Sequence, residues 1–520
     1  MLTSTNPRTG VSAATALEPT TAEGVDAAAR RAAAAAAELQ HRGREFRATL
    51  LEAMAASVEN SRGRLVAIAD AETGLGAVRL NGEVSRSAFQ FQLFAEAVRE
   101  GGYLEAMIDS AAETPLGPAP DVRRMLVSIG AVAVFGSSNF PFAFSVLGGD
   151  TASAVAAGSS VVIKAHGSHL LTSQLSLEVL QEAAHAVNAP DGTFSAVFGQ
   201  EAGLALVVHP AIKAASFTGS LVAAESLQRA INTRPDPIPF FGELSSINPV
   251  IVTEGAARAR GTAIASGLFA SFTGSAGQLC TKPGIAFIPD SASGQALVES
   301  LKELTGEARP QVLLNDRIRS SFDSISGRLV EAGAVEIASG SGLPPHDQDA
   351  PDENPFQGFT VAPALLETAA ASLTEELAEE CFGPLIVIAR YSTLDEVREA
   401  FGRIPRSLTA TLHAEDDDEA IIAQLMPALE ASAGRIVFNS YPTGVRVTWA
   451  QHHGGPWPST NSQHTSVGVT AVRRFLRPLA WQNAPQSALP EELRDHYSAI
   501  PRRIDGALVL PQPVVQQVGG

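Results

Sequence analysis

Two cysteines occur in 520 residues, and one of them, Cys280, lies in the loop GSAGQLCTKPG, residues 274–284. A thiol between glycines and a proline is either a small apolar filler, since free cysteine is among the most buried residue types, or a nucleophile. The second role needs backbone amides close by, and they come close only where side chains are absent. Five further stretches place polar or glycine residues where apolar runs end: GSSNFPFAF with Asn139, VVIKAHG with Lys164, FTGS at 217–220, FGELSSINP with Glu243, and EECFGPL at 379–385 with Glu380 and Cys381. Taken singly, each has a structural account. Asn139 before Phe-Pro forms turns, Lys164 and Glu243 serve as solvated or paired charges, and Gly219 permits a tight turn. No GxGxxG fingerprint follows a strand, and FTGS alone is a weak signal. Taken together, a thiol, a carboxylate and an amide are the groups of nucleophilic catalysis.

The elements that must position them are legible in outline. Residues 21–99 are rich in Ala, Leu, Glu and Arg with helical periodicity, as in AAARRAAAAAAELQHRGREFRATLLEAMAASVEN. The alanine tract there reads as helix propensity. From RMLVSIGAVAVFG (124–136) onward, short apolar runs bounded by glycine alternate with segments of helical length: SVVIK, FSAVFG, IKAASFTGS and IPFFGEL. That alternation predicts βαβ units, a parallel sheet, and a ligand pocket beyond the carboxyl ends of its strands. A second α/β region runs from about Asn248 through the 440s, with NPVIVT, GIAFIP, GPLIVIAR, LTATLHA and GRIVFNS as strands. PPHDQDAPDENPFQG (344–358) reads as a polar surface loop, and EDDDE (415–419) as a solvated helix start rather than a cation site.

Bulk composition bounds the function classes. With 45% hydrophobic and 18% charged residues the chain is a globular protein of two or three domains. A formal charge of −18 argues against nucleic acid and anionic membranes. Two cysteines make no disulfide framework, and nothing has zinc-ligand spacing; the pair His452–His453 is not at helix-face metal spacing, so no metal is expected. The start lacks a signal-peptide pattern and no run reaches ~18–20 apolar residues. A soluble, cytoplasmic protein is the expectation.

In order along the chain, FTGS, ELSSINP, GQLC and EECFGP resemble the aldehyde dehydrogenase superfamily, and the resemblance spans essentially the whole chain. NFPFAFSVLGGDTASAVAAGSSVVIKAHGSH, RPDPIPFFGELSSINPV and HGGPWPSTNSQHTSVGVTAVRRFLRPLAWQ narrow it to a branch with α-ketoglutaric semialdehyde (2,5-dioxovalerate) dehydrogenases and related NADP-using bacterial enzymes. The resemblance implies an α/β fold: a Rossmann-type parallel-sheet NAD(P)-binding domain over 1–117 and 136–243, and an α/β catalytic domain over 244–455. A bridging or oligomerisation element with the C-terminal tail would occupy 118–135 and 456–520, pairing subunits into a homodimer or homotetramer. It implies NAD(P)-dependent oxidation of an aldehyde through a Cys280 thiohemiacetal and a thioester, the substrate being 2,5-dioxovalerate and the product 2-oxoglutarate.

On this resemblance Cys280 is the nucleophile and Glu243 the base, with a pKa raised by its dry pocket. The Cys280 N–H and Asn139 hold the oxyanion, and Gly274 and Gly277 let main chain crowd the reacting carbon. Lys282 either partners the thiolate or points elsewhere, and Cys381 is packing. Lys164 contacts the adenosine ribose, Gly219 and Ser220 the pyrophosphate, Glu380 the nicotinamide ribose; Leu244 and Phe382 also adjoin the cofactor. The sequence departs from the branch in places. LVAAE follows FTGS, Gly167 replaces a hydroxyl residue that NADP users carry, and VFGQEAG offers Glu201 and no arginine to a 2′-phosphate, for which Ser168 could substitute. NAD and NADP both stay open. A 2-oxo acid calls for a cation, for which Arg446 is the candidate, with Trp449 and Trp457 as apolar walls and Phe142 and Phe144 lining a tunnel or packing in the core. The alternatives are a broad aliphatic or fatty aldehyde dehydrogenase, an acylating dehydrogenase (which would lack Glu243), a cysteine acyltransferase or amidase, and a catalytically silent protein on the same fold.

Overall fold

The computed structural model describes residues 1–341 and 358–511; the Pro-rich stretch at 344–357 and the end of the expected tail lie outside the described residues. Val132–Phe135, Val161–Lys164, Phe194–Val197, Ala214–Thr218 and Phe240–Glu243 form a wholly parallel five-stranded sheet. Runs such as VAVF and VVI are buried throughout, as parallel strands covered by helices on both faces must be. The spatial order is 240–243, 214–218, 132–135, 161–164, 194–197. The chain starts at the centre, winds one way and then crosses back, so the order reverses between Val132–Phe135 and Ala214–Thr218. A crevice opens beyond the carboxyl ends of strands at such a switch point. In register along that edge stand Lys164, Phe135 and Phe217, with Thr218 beside Glu243.

A second sheet has seven strands in the order 335–339, 364–369, 385–391, 285–289, 250–252, 407–413, 433–438, parallel except for the first pair. The segments carrying Asn248, Cys280 and Glu380 enter its strands Val250–Val252, Ile285–Pro289 and Leu385–Tyr391. In this sheet the polar residues therefore stand at amino ends. The carboxyl edge of the first sheet meets the amino edge of the second, and Asn139 and Glu243 reach the Cys280 loop across that junction.

A third sheet joins Leu476–Gln482, Val122–Ser128, Met107–Asp109, Arg502–Ile504 and Ala507–Val509. It corrects the expected domain boundaries. Val132–Phe135, placed with the bridging element, is the central strand of the first sheet, separated from Val122–Ser128 by a turn at Gly130 with φ +115°. Met107–Asp109, placed with the cofactor domain, belongs to the third sheet. Residues 456–467, placed in the tail, fold back along Phe240–Glu243: the Leu244 N–H donates to Ser459 O at 2.8 Å and the Gly242 N–H to Asn461 Oδ1 at 2.7 Å.

The first hundred residues hold the helices Ala22–His41, Gly43–Asn60, Arg62–Thr73 and Ala77–Glu100. Ala28, Ala29 and Ala32 are buried against the first sheet, where small side chains let the helix lie close. Helix Ala77–Glu100 shapes the turn after Val132–Phe135: the buried Glu83 carboxylate accepts the N–H groups of Phe142 and Ala143 at 2.8 and 2.9 Å, and Arg79 donates to Asn139 O. Glu415 and Asp418 of EDDDE form a capping box ahead of helix Glu419–Ser432. Among the described residues no helix is long and apolar enough to cross a membrane.

Candidate active site

Helix Glu254–Thr273 runs into Gly274, after which Ser275, Ala276 and Gly277 take φ values of 54°, 55° and 66°. Left-handed backbone costs about 1–2 kcal/mol at each non-glycine residue, so contacts elsewhere must hold this turn. A Cβ on Gly277 would lie 2.1 Å from Gly383 O and 2.5 Å from Pro384 N. Glycine is required there for contact with the EECFGP stretch, and Gly274, with φ −54°, has only Leu279 within 4 Å. Asn248 fastens the loop: its Nδ2 donates to the carbonyls of Cys280 and Lys282 at 2.9 and 3.0 Å, while Oδ1 accepts from Ser246 Oγ at 2.7 Å. Lys282 points away from the sulfur, its Nζ donating to Cys381 O and Leu385 O at 2.9 Å each. Cys381 packs in the core of the second domain, where burial pushes its thiol up to about 12.

Glu243, the last residue of its strand, is 1% exposed. Its Oε1 accepts from His453 Nε2 at 2.9 Å and its Oε2 from Ser466 Oγ at 2.6 Å. A carboxylate only accepts, so Nε2 carries the imidazole proton. The same Nε2 is 3.4 Å from Cys280 Sγ. Burial raises Glu243, but His453, Ser466 and the Cys280 thiol together outweigh it and leave the carboxylate at about 2. This corrects the raised value expected of a dry pocket: three donors favour the charged form more than desolvation disfavours it. The Cys280 thiol itself rises well above the usual thiol range, first through burial and then through the facing Glu243 charge. At rest the site holds a neutral thiol, a carboxylate and an imidazole N–H. One donor atom from each of Glu243, Cys280 and His453 lies within 4.8 Å of the others, a spacing a zinc-type cation could also use. The hydrogen bonds among them account for it without one. Asn139 Nδ2 gives one N–H to Gln278 O at 2.9 Å, two residues before Cys280, and has a second to offer. The N–H of Cys280 has no backbone acceptor among the described residues.

Lys164 ends its strand; its ammonium meets no acceptor among the described residues, and burial lowers its pKa. Ser220 caps helix Leu221–Asn232, its Oγ accepting the Ala223 N–H at 3.4 Å, and a Cβ on Gly219 would strike the Phe217 ring at 2.6 Å. Unpaired N–H groups at a helix start suit a phosphate. Glu380, raised by burial to about 7 against the pull of Lys282, accepts from the Ser246 N–H at 3.1 Å. Phe382 beside it is half-buried, and the Ser168 hydroxyl accepts from Asn315 Nδ2 at 2.7 Å. A lysine without an acceptor among the described residues, a helix start and a buried carboxylate are groups that would hold an NAD(P)-type dinucleotide.

The profile of the aldehyde dehydrogenase family matches residues 1–477. The chain belongs to the aldehyde dehydrogenase family. This aldehyde dehydrogenase is 40% identical over 493 residues to the α-ketoglutaric semialdehyde dehydrogenase of Acinetobacter baylyi, covering 94% of this chain and 92% of that one. It is 42% identical over 469 residues to α-ketoglutaric semialdehyde dehydrogenase 2 of Azospirillum brasilense, covering 88% and 87%. Among solved structures it superposes on the methylmalonate-semialdehyde dehydrogenase of Oceanimonas doudoroffii with a TM-score of 0.78 at 20% identity, over 93% of this chain and 95% of that one. Enzymes of the family act on aldehydes with NAD(P).

At the substrate end of this aldehyde dehydrogenase, Phe142 is fully buried in the N-terminal core and lines no tunnel. Phe144 is the ring that meets the site, 6.2 Å from the His453 ring centre. Arg446 is exposed on the rim of a cavity of about 540 Å³ between helix Ala77–Glu100 and residues 445–448. Trp449 and Trp457 are about half exposed, at 47% and 52%. The sequence reading missed His453, Ser466 and Asn248. His453 was weighed only with its neighbour as a metal pair, and one histidine of 11 has no periodic signature. Only the need for a proton carrier near Cys280 could have singled it out.

The thiol value has a direct readout. Iodoacetamide should alkylate Cys280 slowly at pH 7 and faster into the alkaline range, with Cys381 silent. Glu243→Gln removes the facing negative charge, so the profile should move to lower pH by about one unit. Mass-spectrometric rates that stay put or move to higher pH would contradict the assignment.

Proposed function

We propose that this chain oxidises 2,5-dioxovalerate to 2-oxoglutarate, with NAD(P) and water, through a covalent adduct on Cys280. The observation that carries the reading is the Cys280–His453–Glu243 cluster. Glu243 takes the thiol proton as sulfur attacks the aldehyde carbon. His453 Nε2–H, 3.4 Å from Sγ, turns from the protonated carboxyl to the sulfur and supports its developing charge. The oxyanion of the thiohemiacetal meets the Cys280 N–H and the second Asn139 N–H; one such donor is worth ~2.7–4 kcal/mol. Lys164, the start of helix Leu221–Asn232 and Glu380 hold the dinucleotide, which when bound supplies the hydride acceptor. Glu243, its proton released, then deprotonates the water that hydrolyses the Cys280 thioester.

The names of the two curated relatives support the substrate. The Glu201 carboxylate in VFGQEAG favours NAD over NADP at the adenosine end, since it would repel a 2′-phosphate. The third sheet supports a homo-oligomer, since among the described residues its outermost strands Leu476–Gln482 and Ala507–Val509 each have one edge without a partner strand, which a second copy could cover. The reading is tested by following reduced-cofactor absorbance with 2,5-dioxovalerate and with pentanal, each with NAD and NADP. The expected result is a higher kcat/KM for 2,5-dioxovalerate with NAD. Equal or better use of pentanal would favour a broad aliphatic role, and no reduction with either would overturn the substrate assignment.

A further inference from the structure

Arg86, on helix Ala77–Glu100, lines the 540 Å³ cavity together with Phe89, Leu93, Val447 and Arg446. Its Nη1 donates to Val445 O at 2.6 Å, and its guanidinium lies over the Phe144 ring at 5.4 Å. Phe144 packs in turn on His453, and burial lowers the Arg86 pKa, with Cys280, Glu83 and Glu243 close enough to act in the opposite sense. The two remaining donors, Nε and Nη2, are shut off from solvent and meet no acceptor among the described residues. Those two form one edge of the guanidinium, the edge that grips a carboxylate through parallel N–H···O bonds. Buried charged donors without an acceptor are costly, which points to an acceptor brought by a ligand.

Two other enclosed arginines differ. Arg79 donates Nη2 to Asn139 O, lies 3.9 Å from Glu83, and has Nη1 as its one buried donor without an acceptor among the described residues. Arg435 donates to Pro442 O and Gly444 O and leaves only Nε. Neither has a whole edge to offer, and Arg446 stands in solvent, where a carboxylate gains less.

We propose that Arg86 determines specificity by receiving the substrate's carboxylate on its Nε–Nη2 edge while the aldehyde carbon sits on Cys280. The inference rests on the proposed oxidation of a semialdehyde and states how its far end is held. In 2,5-dioxovalerate four bonds separate the aldehyde carbon from the carboxylate, so one molecule reaches from the sulfur toward the cavity, and the groups enclosing Arg86 give way as it enters. A neutral aldehyde leaves the edge unpaired.

The test compares wild type, Arg86→Met and Arg86→Lys on 2,5-dioxovalerate and pentanal, with melting temperature as the folding control. Arg86→Met should lose about 100-fold in kcat/KM on 2,5-dioxovalerate, mostly through KM, and stay within about threefold on pentanal. Arg86→Lys, which keeps charge without the fork, should fall between. A selectivity ratio unchanged by Arg86→Met, or equal losses on both aldehydes, overturns the proposal while leaving the semialdehyde reading in place. Should Arg86→Met fail to fold, the Arg86→Lys ratio decides: wild-type selectivity there overturns the proposal. A wild type with no preference for the carboxylated aldehyde overturns both.

Discussion

Cys280→Ala is expected to lower NAD(P)-dependent aldehyde oxidation by about 10⁴-fold or more, because the whole reaction depends on one sulfur. Without it no thiohemiacetal forms, and nothing else in the cluster is a nucleophile: Glu243 is held by His453 and Ser466, and Lys282 by two carbonyls on the far side of the loop. The fold should survive the change. The loop is fastened by Asn248, by the Asn139–Gln278 bond and by the Gly277–Gly383 contact, none of which uses the thiol. Near-native melting and cofactor binding, with no reduced cofactor formed, is therefore the expected combination. Turnover within tenfold of wild type would remove Cys280 from the mechanism.

Glu243→Gln is expected to separate the two halves of the reaction. Removing the carboxylate takes away the proton acceptor for the thiol but also a charge that holds the thiol up, so the thiolate forms by losing its proton to solvent and the first half still proceeds, more slowly than in wild type. The amide cannot accept a proton from water, so thioester hydrolysis slows by about 10²–10⁴-fold. Rapid mixing should show a burst near one reduced cofactor per site, followed by slow turnover. Loss of the burst, or an unchanged steady state, would refute Glu243 as the hydrolytic base. The same variant has a stability signature. The native carboxyl sits at about 2, below the unfolded value of about 4.3. Its contribution is thus complete above the unfolded value and is lost as pH falls toward 2. Glu243→Gln should flatten that acid limb.

Local order explains which parts of this could be read along the chain. Each strand of the first sheet is a short, largely apolar run closed by a nearby glycine, proline or polar residue, a signal contained in a few neighbouring positions, so all five were legible. Val335–Ser339 and Ala364–Ala369 were not: VEIAS is an edge strand with exposed residues, and ALLETA, though mostly buried inside the sheet, is made largely of the helix formers Ala, Leu and Glu. Phe142 and Phe144, two residues apart, looked equivalent; Glu83, 59 positions away from Phe142, turns one into the core and leaves the other at the site.

The sequence by itself determined the family and the βαβ order and singled out Cys280, Glu243, Asn139, Lys164 and Glu380 as candidates, because motif residues and strand runs are local. Tertiary structure alone decided the partners. His453 and Ser466 arrive from 210 and 223 positions beyond Glu243 to hold its carboxylate at about 2, against the direction that burial alone dictates. Likewise only the packing of helix Ala77–Glu100 against residues 445–448 encloses Arg86 and leaves one edge of its guanidinium unpaired. Hydrogen bonds and electrostatics act through space at a few ångströms, and which distant residues come that close is a property of the fold rather than of any stretch of chain.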